Sequence, residues 1–156
     1  MFDFEFVVSD EQYEAASILF KEYASSLNID LSFQLFDKEL EELKKMYASP
    51  KGMILLCGMQ DRYVACVAVR PNVTDIAELK RMYVRPAFQH QGIGQQLLDK
   101  AIDFCRKTGY EKVRLDTLNT MHPAMNLYLK NGFQQIEAYY HNPSPEAVYF
   151  EKEIER

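Results

Sequence analysis

The chain has 156 residues, of which 47% are hydrophobic and 26% are charged, a composition typical of globular proteins that excludes disordered and fibrous classes. Its net charge of −5 argues against a nucleic-acid partner, because binding to a phosphate backbone requires clustered cations. We therefore expect one domain that spans residues 1–156 and folds around a single core.

The sequence lacks the patterns of targeting and membrane segments. Its N-terminus has neither the basic region nor the continuous apolar region of a signal peptide, and no apolar run approaches the roughly 20 residues that cross a bilayer. Cys57, Cys66 and Cys105 are widely spaced within apolar patterns, which is typical of buried reduced thiols. The three histidines lack the spacing of metal ligands. We expect a cytoplasmic protein without a membrane partner or a bound metal.

The first part of the chain predicts one strand and two helices. Apolar and polar residues alternate over Phe4–Val8, which is typical of a strand. Ser9-Asp10 is placed to cap a helix that runs roughly to Ser26. Asp37 is placed to cap a second helix, because apolar residues recur after it at helical spacing until the break at Ser49-Pro50.

A hairpin is predicted next. The apolar runs Met53–Met59 and Tyr63–Val69 flank the short polar turn Gln60–Arg62, and this pattern is typical of two antiparallel strands. The second strand is expected to break at Arg70-Pro71-Asn72.

The segment Ile76–Val84 predicts a strand with an irregularity. Its apolar positions follow period two, except that the interval from Leu79 to Met82 is three residues. A strand that keeps one buried face through such a slip needs one extra residue. We therefore predict a β-bulge near Lys80-Arg81.

The remainder of the chain predicts two helices and three strands. Apolar spacing indicates a helix over Gly94–Gly109, a strand over Val113–Thr117, and a helix from about Met121 to Asn131. Phe133–His141 and Ala147–Ile154 are predicted as closing strands. The order β-α-α-β-β-β-α-β-α-β-β predicts an α/β fold, of the α+β mixed-sheet kind, in which helices cover the sheet.

The loop Gln89–Gly94 joins the bulged strand to the following helix and suits an anion. The first N–H groups of a helix lack intrahelical partners, and glycines keep side chains away from a bound phosphate. The loop lacks the Gly-Lys-Ser/Thr ending of a P-loop, and Leu97 stands where a dinucleotide fingerprint would have its third glycine. On the glycines alone, a tight turn into the helix is the alternative.

Three motifs follow one another within Glu78–Phe133. They are Glu78-Leu79-Lys80-Arg81-Met82-Tyr83-Val84-Arg85-Pro86, Gln89-x-x-Gly92-x-Gly94, and Leu127-Tyr128-x-x-x-Gly132-Phe133. In this order and spacing they resemble the motifs of the GNAT superfamily of acyl-CoA-dependent N-acetyltransferases. The chain is most similar to a bacterial subgroup of uncharacterised substrate, which has Arg-Leu-Asp-Thr before the last helix, here Arg114–Thr117, and Tyr-Tyr-x-Asn-Pro after it, here Tyr139–Pro143.

The resemblance implies a GNAT-like fold, with a mostly antiparallel sheet splayed at the bulge, and acetyl-CoA (coenzyme A) as the donor. The coenzyme A pyrophosphate would be held by the backbone N–H groups of Gln89, His90, Gln91, Gly92, Ile93, Gly94 and Gln95. The strand at Met82, Tyr83 and Val84 would pair with the pantetheine arm. An N–H near Met82 or Tyr83 would stabilise the oxyanion of the thioester.

The chain departs from the family pattern at three positions. Members often have an arginine where Gln89 stands and a glycine where His90 stands. Many also have an asparagine where Met121 stands, and Asn119 or Asn126 would substitute for it in binding the cofactor.

Acetyl transfer to an amine needs a base for the ammonium and an acid for the departing thiolate. Glu78 matches the position of the general base in some members; the alternative is a structural salt bridge with Lys80, Arg81 or Arg114. Tyr128 matches the general-acid tyrosine of the family; the alternative is a core aromatic on an apolar helix face.

The fold would line the acceptor site with the first two helices and the final hairpin. This implies, as substrate-binding residues, Phe33, Phe36, Arg70, Tyr139, Tyr140 and Asn142. Arg70 could pair with a substrate carboxylate, or with Glu78 or Asp116 in the protein.

The function expected from this resemblance is transfer of an acetyl group from acetyl-CoA to a primary amine of a small molecule, by direct attack in a ternary complex. The alternatives are acetylation of a protein lysine or N-terminus, and a non-catalytic module that senses acyl-CoA. The resemblance leaves open whether the chain forms a homodimer.

Overall fold

The fold is a seven-stranded mixed sheet with helices on both faces. The computed structural model describes residues 1–27 and 35–155. The strands are β1 (Asp3–Phe6), β2 (Met53–Met59), β3 (Arg62–Val73), β4 (Ile76–Val84), β5 (Lys112–Leu118), β6 (Gln134–Ile136) and β7 (Ala147–Glu153). The helices in these ranges are α1 (Asp10–Ser26), α2 (Phe36–Glu41), α3 (Leu43–Met46), α4 (Ile93–Thr108) and α5 (His122–Lys130), and none of them is long and apolar enough to cross a membrane. The predicted α/β class and element order are confirmed, with the second helix present as α2 and α3.

The strands lie in the order β1-β2-β3-β4-β5-β7-β6. Only β4 and β5 pair in parallel; the other neighbours are antiparallel. The parallel ladder is short, because Ile76–Glu78 pairs with Lys112–Arg114 and no pairing follows. Strand β4 continues to Val84, so the two strands part after their first rungs.

Two apolar clusters cover the sheet, one on each face. On β2, Ile54 and Leu56 pack in the cluster that contains α1, while Leu55 and Cys57 pack in the cluster that contains α4. This alternation follows from the period of a strand, and it explains why β2 is a nearly continuous apolar run. The three cysteines are buried free thiols, as predicted.

Helix α1 begins where the sequence predicts. Ser9 is its N-cap, and the Ser9 side chain accepts a hydrogen bond from the Gln12 backbone N–H at 3.2 Å. The Gln12 side chain accepts from the Ser9 N–H at 3.0 Å in return. This capping box satisfies two backbone donors and fixes the start of the helix.

Three predicted boundaries are wrong. Helix α2 begins at Phe36 behind Leu35, which has a φ of 57° and provides no side-chain cap, so Asp37 lies in the first turn. Strand β3 does not break at Arg70-Pro71-Asn72 but continues to Val73, because the ladder shifts register there to accommodate the proline. The predicted strand Phe133–His141 is paired only over Gln134–Ile136.

The predicted β-bulge is confirmed in β4. Cys66 pairs with Tyr83 and Ala68 pairs with Lys80, so that Arg81 and Met82 together oppose the single residue between them on β3. Arg81 has a φ of 59°, a left-handed conformation that costs a non-glycine residue about 1–2 kcal/mol. The surrounding structure must therefore stabilise Arg81 in this conformation.

A buried ion pair provides that stabilisation. The Arg81 guanidinium donates two hydrogen bonds to the Glu39 carboxylate on α2, at 2.8 and 2.9 Å, and lies over the Phe36 ring at 5.2 Å. Burial alone would raise the pKa of Glu39, but the hydrogen bonds and charge of Arg81 outweigh it and hold this pKa below its usual range. The pair ties α2 to the bulge.

We expect Glu39→Gln to lower the free energy of unfolding by about 3 kcal/mol, because an amide leaves a buried guanidinium without its countercharge. Urea unfolding of both variants checks this. Glu41→Gln, on the same helix at an exposed position, is the matched control and should stay close to the wild type. Equal stability of the two variants would contradict the role given to the ion pair.

Candidate active site

The separation of β4 and β5 opens a cavity, called here the gap cavity. It is lined from α1, β4, β5, α5 and the segment after β6, by Tyr23, Leu27, Leu79, Lys80, Arg81, Met82, Leu115, Asp116, Thr117, Leu118, Met121, Ala124, Tyr128 and Asn142. Beyond the bulge, Tyr83 and Val84 still pair with β3, while the other edge of β4 has no strand partner in the described chain. An extended ligand can therefore add to this free edge.

The loop Gln89–Gly92 leads from the end of β4 to the first turn of α4 and is exposed. Gly92 is the N-cap residue, with a φ of 82° and no side-chain cap, and a Cβ built on it would meet nothing within 4 Å. His90 also has a positive φ, 65°, which explains why a glycine suits that position. The first N–H groups of α4 are thus open to an anion. The Gln89 side chain instead donates to the Val84 carbonyl at 3.0 Å.

Tyr128 lies on α5, with its ring centroid 5.6 Å from that of Phe133 and 6.2 Å from that of Phe150. The residue is 6% exposed and lines the gap cavity. Its hydroxyl forms no hydrogen bond with the described part of the chain, and burial raises the pKa of Tyr128 well above its ordinary value. Tyr128 is therefore a core aromatic residue. Its phenol is protonated at neutral pH and lines the gap cavity.

Glu78 is 2% exposed, and both of its oxygens are engaged. Oε1 accepts from Arg70 Nε at 2.9 Å, and Oε2 accepts from the Tyr139 hydroxyl at 2.7 Å. Burial alone would raise the pKa of Glu78, but the charges of Lys80 and Arg70 outweigh burial and hold this pKa below its usual range. Arg70 thus pairs with Glu78, one of the two protein partners expected for it.

Glu78 belongs to a row of charges that crosses four strands. Arg70, Glu78, Arg114 and Glu151 are register partners on β3, β4, β5 and β7. Arg114 Nε donates to Glu151 Oε1 at 2.8 Å. Positive and negative side chains alternate along this row, so each residue attracts its partner on the neighbouring strand. Like charges placed opposite each other would destabilise the sheet. We call this row the charge ladder.

A second cavity, the acceptor cavity, adjoins the gap cavity and has a volume of about 230 Å³. It is lined by Leu35, Arg70, Asn72, Glu78, Lys80, Tyr139 and Tyr140. Lys80 lines both cavities. Three of the residues predicted to bind substrate, Arg70, Tyr139 and Tyr140, lie here, and Asn142 lies in the gap cavity.

The segment after β6 is held to the sheet by side chains instead of a ladder. The Tyr140 hydroxyl donates to Asp116 Oδ2 at 2.5 Å, and Asn142 Nδ2 donates to the same oxygen at 3.2 Å. The Tyr139 hydroxyl reaches Glu78, as described above. Asp116 was not among the residues predicted for the site, although it belongs to the Arg114–Thr117 motif, which is the signal that pointed to it.

The remaining predicted residues lie elsewhere. Phe36 stacks on Arg81 and lines neither cavity, and Phe33 lies outside the described residues. Asn119 and Asn126 are exposed and do not line the gap cavity, whereas Met121 does. In residues 1–27 and 35–155, no group of three or more His, Cys, Asp or Glu side chains could hold a metal ion.

Comparisons with known proteins agree on one family. The model of the acetyltransferase (GNAT) family matches residues 17–133. A protein of Schizosaccharomyces pombe, named as an uncharacterized N-acetyltransferase, is 38% identical over 143 residues, which cover 89% of this chain and 86% of that protein.

Two crystal structures share the fold. An acetyltransferase of the GNAT family from Staphylococcus aureus has a TM-score of 0.82 at 19% identity, over 99% of this chain and 100% of that one. The PaiA N-acetyltransferase of Thermoplasma acidophilum, in complex with coenzyme A, has a TM-score of 0.73 at 20% identity, over 97% of this chain and 99% of that one.

We expect Arg70→Gln to lower the free energy of unfolding at pH 7 by about 2 kcal/mol, because Glu78 then loses a charge-assisted hydrogen bond. The low pKa of Glu78 stabilises the fold above the ordinary carboxyl pKa, and this contribution is lost as the pH falls through the folded-state pKa. The deficit of Arg70→Gln should therefore shrink on acidification, as measured by urea unfolding at several pH values. Arg62→Gln, at an exposed position of the same strand, is the control. A deficit that does not change with pH would contradict the assignment.

Proposed function

Because this chain belongs to the acetyltransferase (GNAT) family, we propose that it transfers an acetyl group from acetyl-CoA to a primary amine of a small molecule, by direct attack in a ternary complex. One observation carries the proposal. The first turn of α4 is open to an anion, β4 and β5 do not pair beyond Glu78 and Arg114, and Tyr128 lines the gap cavity between them.

The donor fits this arrangement. The N–H groups of the first turn of α4 suit a pyrophosphate, and the open space at Gly92 leaves room for it. The edge at Met82–Val84 suits the amide groups of a pantetheine arm. The related PaiA enzyme was crystallised with coenzyme A, which supports the use of acyl-CoA.

Two protein groups then act on the transfer itself. An N–H of β4 near Met82 or Tyr83 donates to the thioester oxygen as negative charge builds on it. The amine nitrogen forms a bond to the carbonyl carbon, and the carbon–sulfur bond breaks. Tyr128 donates its hydroxyl proton to the departing sulfur, the nitrogen loses its second proton to solvent as the amide forms, and a proton from solvent restores the Tyr128 hydroxyl.

The amine must lose a proton before it attacks, and Glu78 is the proposed acceptor through water. Its low pKa keeps it ionised at neutral pH. Both oxygens of Glu78 already accept hydrogen bonds, from Arg70 and from Tyr139. Glu78 therefore receives the proton of the amine through a chain of water molecules and does not contact the amine directly.

The acceptor cavity favours a small molecule over a protein. Its volume is about 230 Å³, which suits a small molecule, and the Tyr139 hydroxyl binds Glu78 on its wall. A polypeptide acceptor would need an open channel. We therefore rank acetylation of a protein lysine or N-terminus second.

We also infer a cytoplasmic location. Cys57, Cys66 and Cys105 are buried free thiols, and burial raises the pKa of each of them. Protonated thiols of this kind persist in a reducing compartment.

The proposed reaction is tested by release of free coenzyme A thiol from acetyl-CoA, across a panel of amines, amino acids and peptides. We expect small amines to accelerate the release. If acetyl-CoA raises the melting temperature and no acceptor accelerates thiol release, the chain is a binding module and the proposal is wrong.

Tyr128→Phe should lower kcat at least tenfold with little change in the Kd for acetyl-CoA, since a positioned proton donor contributes about 10²–10⁴-fold. Stopped-assay kinetics and calorimetry measure the two quantities. Tyr110→Phe removes another buried hydroxyl, which donates to the Lys51 carbonyl far from the gap cavity, and should leave kcat unchanged. An unaltered kcat in Tyr128→Phe would remove the acid assignment.

Gly92→Ala should raise the Kd for acetyl-CoA about tenfold, because a methyl group enters the space assigned to the pyrophosphate and strains the loop. Gly109→Ala, at the other end of α4, is the control, because both glycines have positive φ values, 82° and 99°, and open space at Cβ. Both variants should lose about 1 kcal/mol of stability. Equal Kd values for the two variants would show that the anion binds elsewhere.

A further inference from the structure

Lys80 is a buried cation that lacks a close acceptor. Its side chain is 5% exposed, and its one ion-pair partner in the described chain is Glu78, with 3.9 Å between Nζ and Oε1. Both oxygens of Glu78 are already engaged by Arg70 and Tyr139. The Lys80 ammonium forms no hydrogen bond within residues 1–27 and 35–155, although it has three donors. A buried charge in this state needs a partner.

Among the described residues, the charges ion-paired around Lys80 do not cancel. Arg70 and Lys80 both pair with Glu78, and the neighbouring Arg81 pairs with Glu39, which gives three cations and two carboxylates. The two arginines take up the two carboxylates, so the surplus positive charge falls on Lys80. Burial and the charge of Arg81 lower the pKa of Lys80, and an added anion would oppose both effects.

The Lys80 side chain borders cavity space. It is common to the walls of the gap cavity and the acceptor cavity, so an anion bound to it lies beside the place where Tyr128 meets the reacting atoms. Its ion-pair partner on β4, Glu78, lies 3.9 Å away, beyond hydrogen-bond distance, so the Lys80 ammonium keeps its donors for a further anion. A ligand in the acceptor cavity can supply that anion.

A free carboxylate oxygen lines the same gap. Asp116 lies on β5, and the hydrogen bonds from Tyr140 and Asn142 both go to Oδ2. Its Oδ1 accepts none in the described part of the chain. The separated strands thus present a cation on β4 and a carboxylate on β5 to one cavity, an arrangement that matches a molecule with both an ammonium and an anion.

We propose that the acceptor is a small amine that also carries a carboxylate, with Lys80 binding the carboxylate and Asp116 binding the ammonium. This rests on the proposed acetyl transfer and names its acceptor class. Arg70 is not the anchor, because its guanidinium is committed to Glu78. Lys80 lines both the acceptor cavity and the gap cavity, whereas Asp116 lines the gap cavity, so such an acceptor would reach across the boundary between the two cavities.

Matched pairs of amino acids and their amides test this. Glycine, β-alanine and γ-aminobutyrate are compared with glycinamide and the two longer amides, by calorimetric binding in the presence of coenzyme A and by thiol release. Each pair differs in the carboxylate and keeps the primary amine. The wild type should bind and acetylate the acid of at least one pair about tenfold or more better than its amide, since charge-assisted hydrogen bonds are the strong ones.

Lys80→Met should abolish that preference, raising the KM and Kd for the acid about tenfold with little effect on the amide. Methionine fills the buried site without a charge, and Lys80→Gln provides a second variant with a similar length. Lys112→Met is the control, because Lys112 lies on the adjoining strand, lines neither cavity, and pairs with Glu151. It should keep the preference of the wild type.

Three results would overturn parts of this scheme. Equal use of acids and amides by the wild type would exclude the carboxylate site. An equal fall of kcat for acids and amides in Lys80→Met would place Lys80 on the thioester oxygen and also exclude that site. Binding of an acid that depends on Lys80, without thiol release by any amine, would retain the carboxylate site and overturn acetyl transfer.

Discussion

The buried ion pair between Arg81 and Glu39 is the interaction on which the site depends. It stabilises a non-glycine residue in a left-handed conformation and so maintains the bulge that displaces the end of β4 from β5. Without this displacement the two strands would remain paired, and the free edge, the gap cavity and the position of Tyr128 on its wall would not exist together. The pair also joins α2 to the sheet, so the acceptor side and the donor side share one structural support.

Much of the fold was predictable because it is encoded locally. The capping box at Ser9 and Gln12 involves residues three apart, and the slip in spacing between Leu79 and Met82 records the bulge in the buried face of the strand. The wrong boundaries have nonlocal causes. The segment after Ile136 alternates like a strand, but tyrosine hydroxyls bind it to carboxylates on the sheet face. Pro71 remains in β3 because the ladder shifts register around it.

The residues of the candidate site also fall into those that a local pattern indicates and those that depend on nonlocal contacts. Gly92 and Tyr128 were singled out as candidates because their motifs are short and depend on local geometry. Glu39 was not singled out, because it lies among other acidic residues of a helix. Only its contact with Arg81 distinguishes it from the exposed Glu41. Lys80 and Asp116 alternate with apolar residues in their strands, which usually indicates a solvent-facing position. The burial of Lys80 and the cavity that it shares with Asp116 depend on how far β4 and β5 separate, and no local pattern encodes that distance.

The charge ladder has a consequence for the shape of the gap between β4 and β5. Its central pair, Glu78 with Arg114, is also the last register pair between these two strands, and the neighbouring pairs on β3 and β7 reinforce it from both sides. Opening the strands further would break alternating contacts across four strands at once. The ladder therefore fixes the point at which β4 and β5 part, and with it the inner end of the space between them.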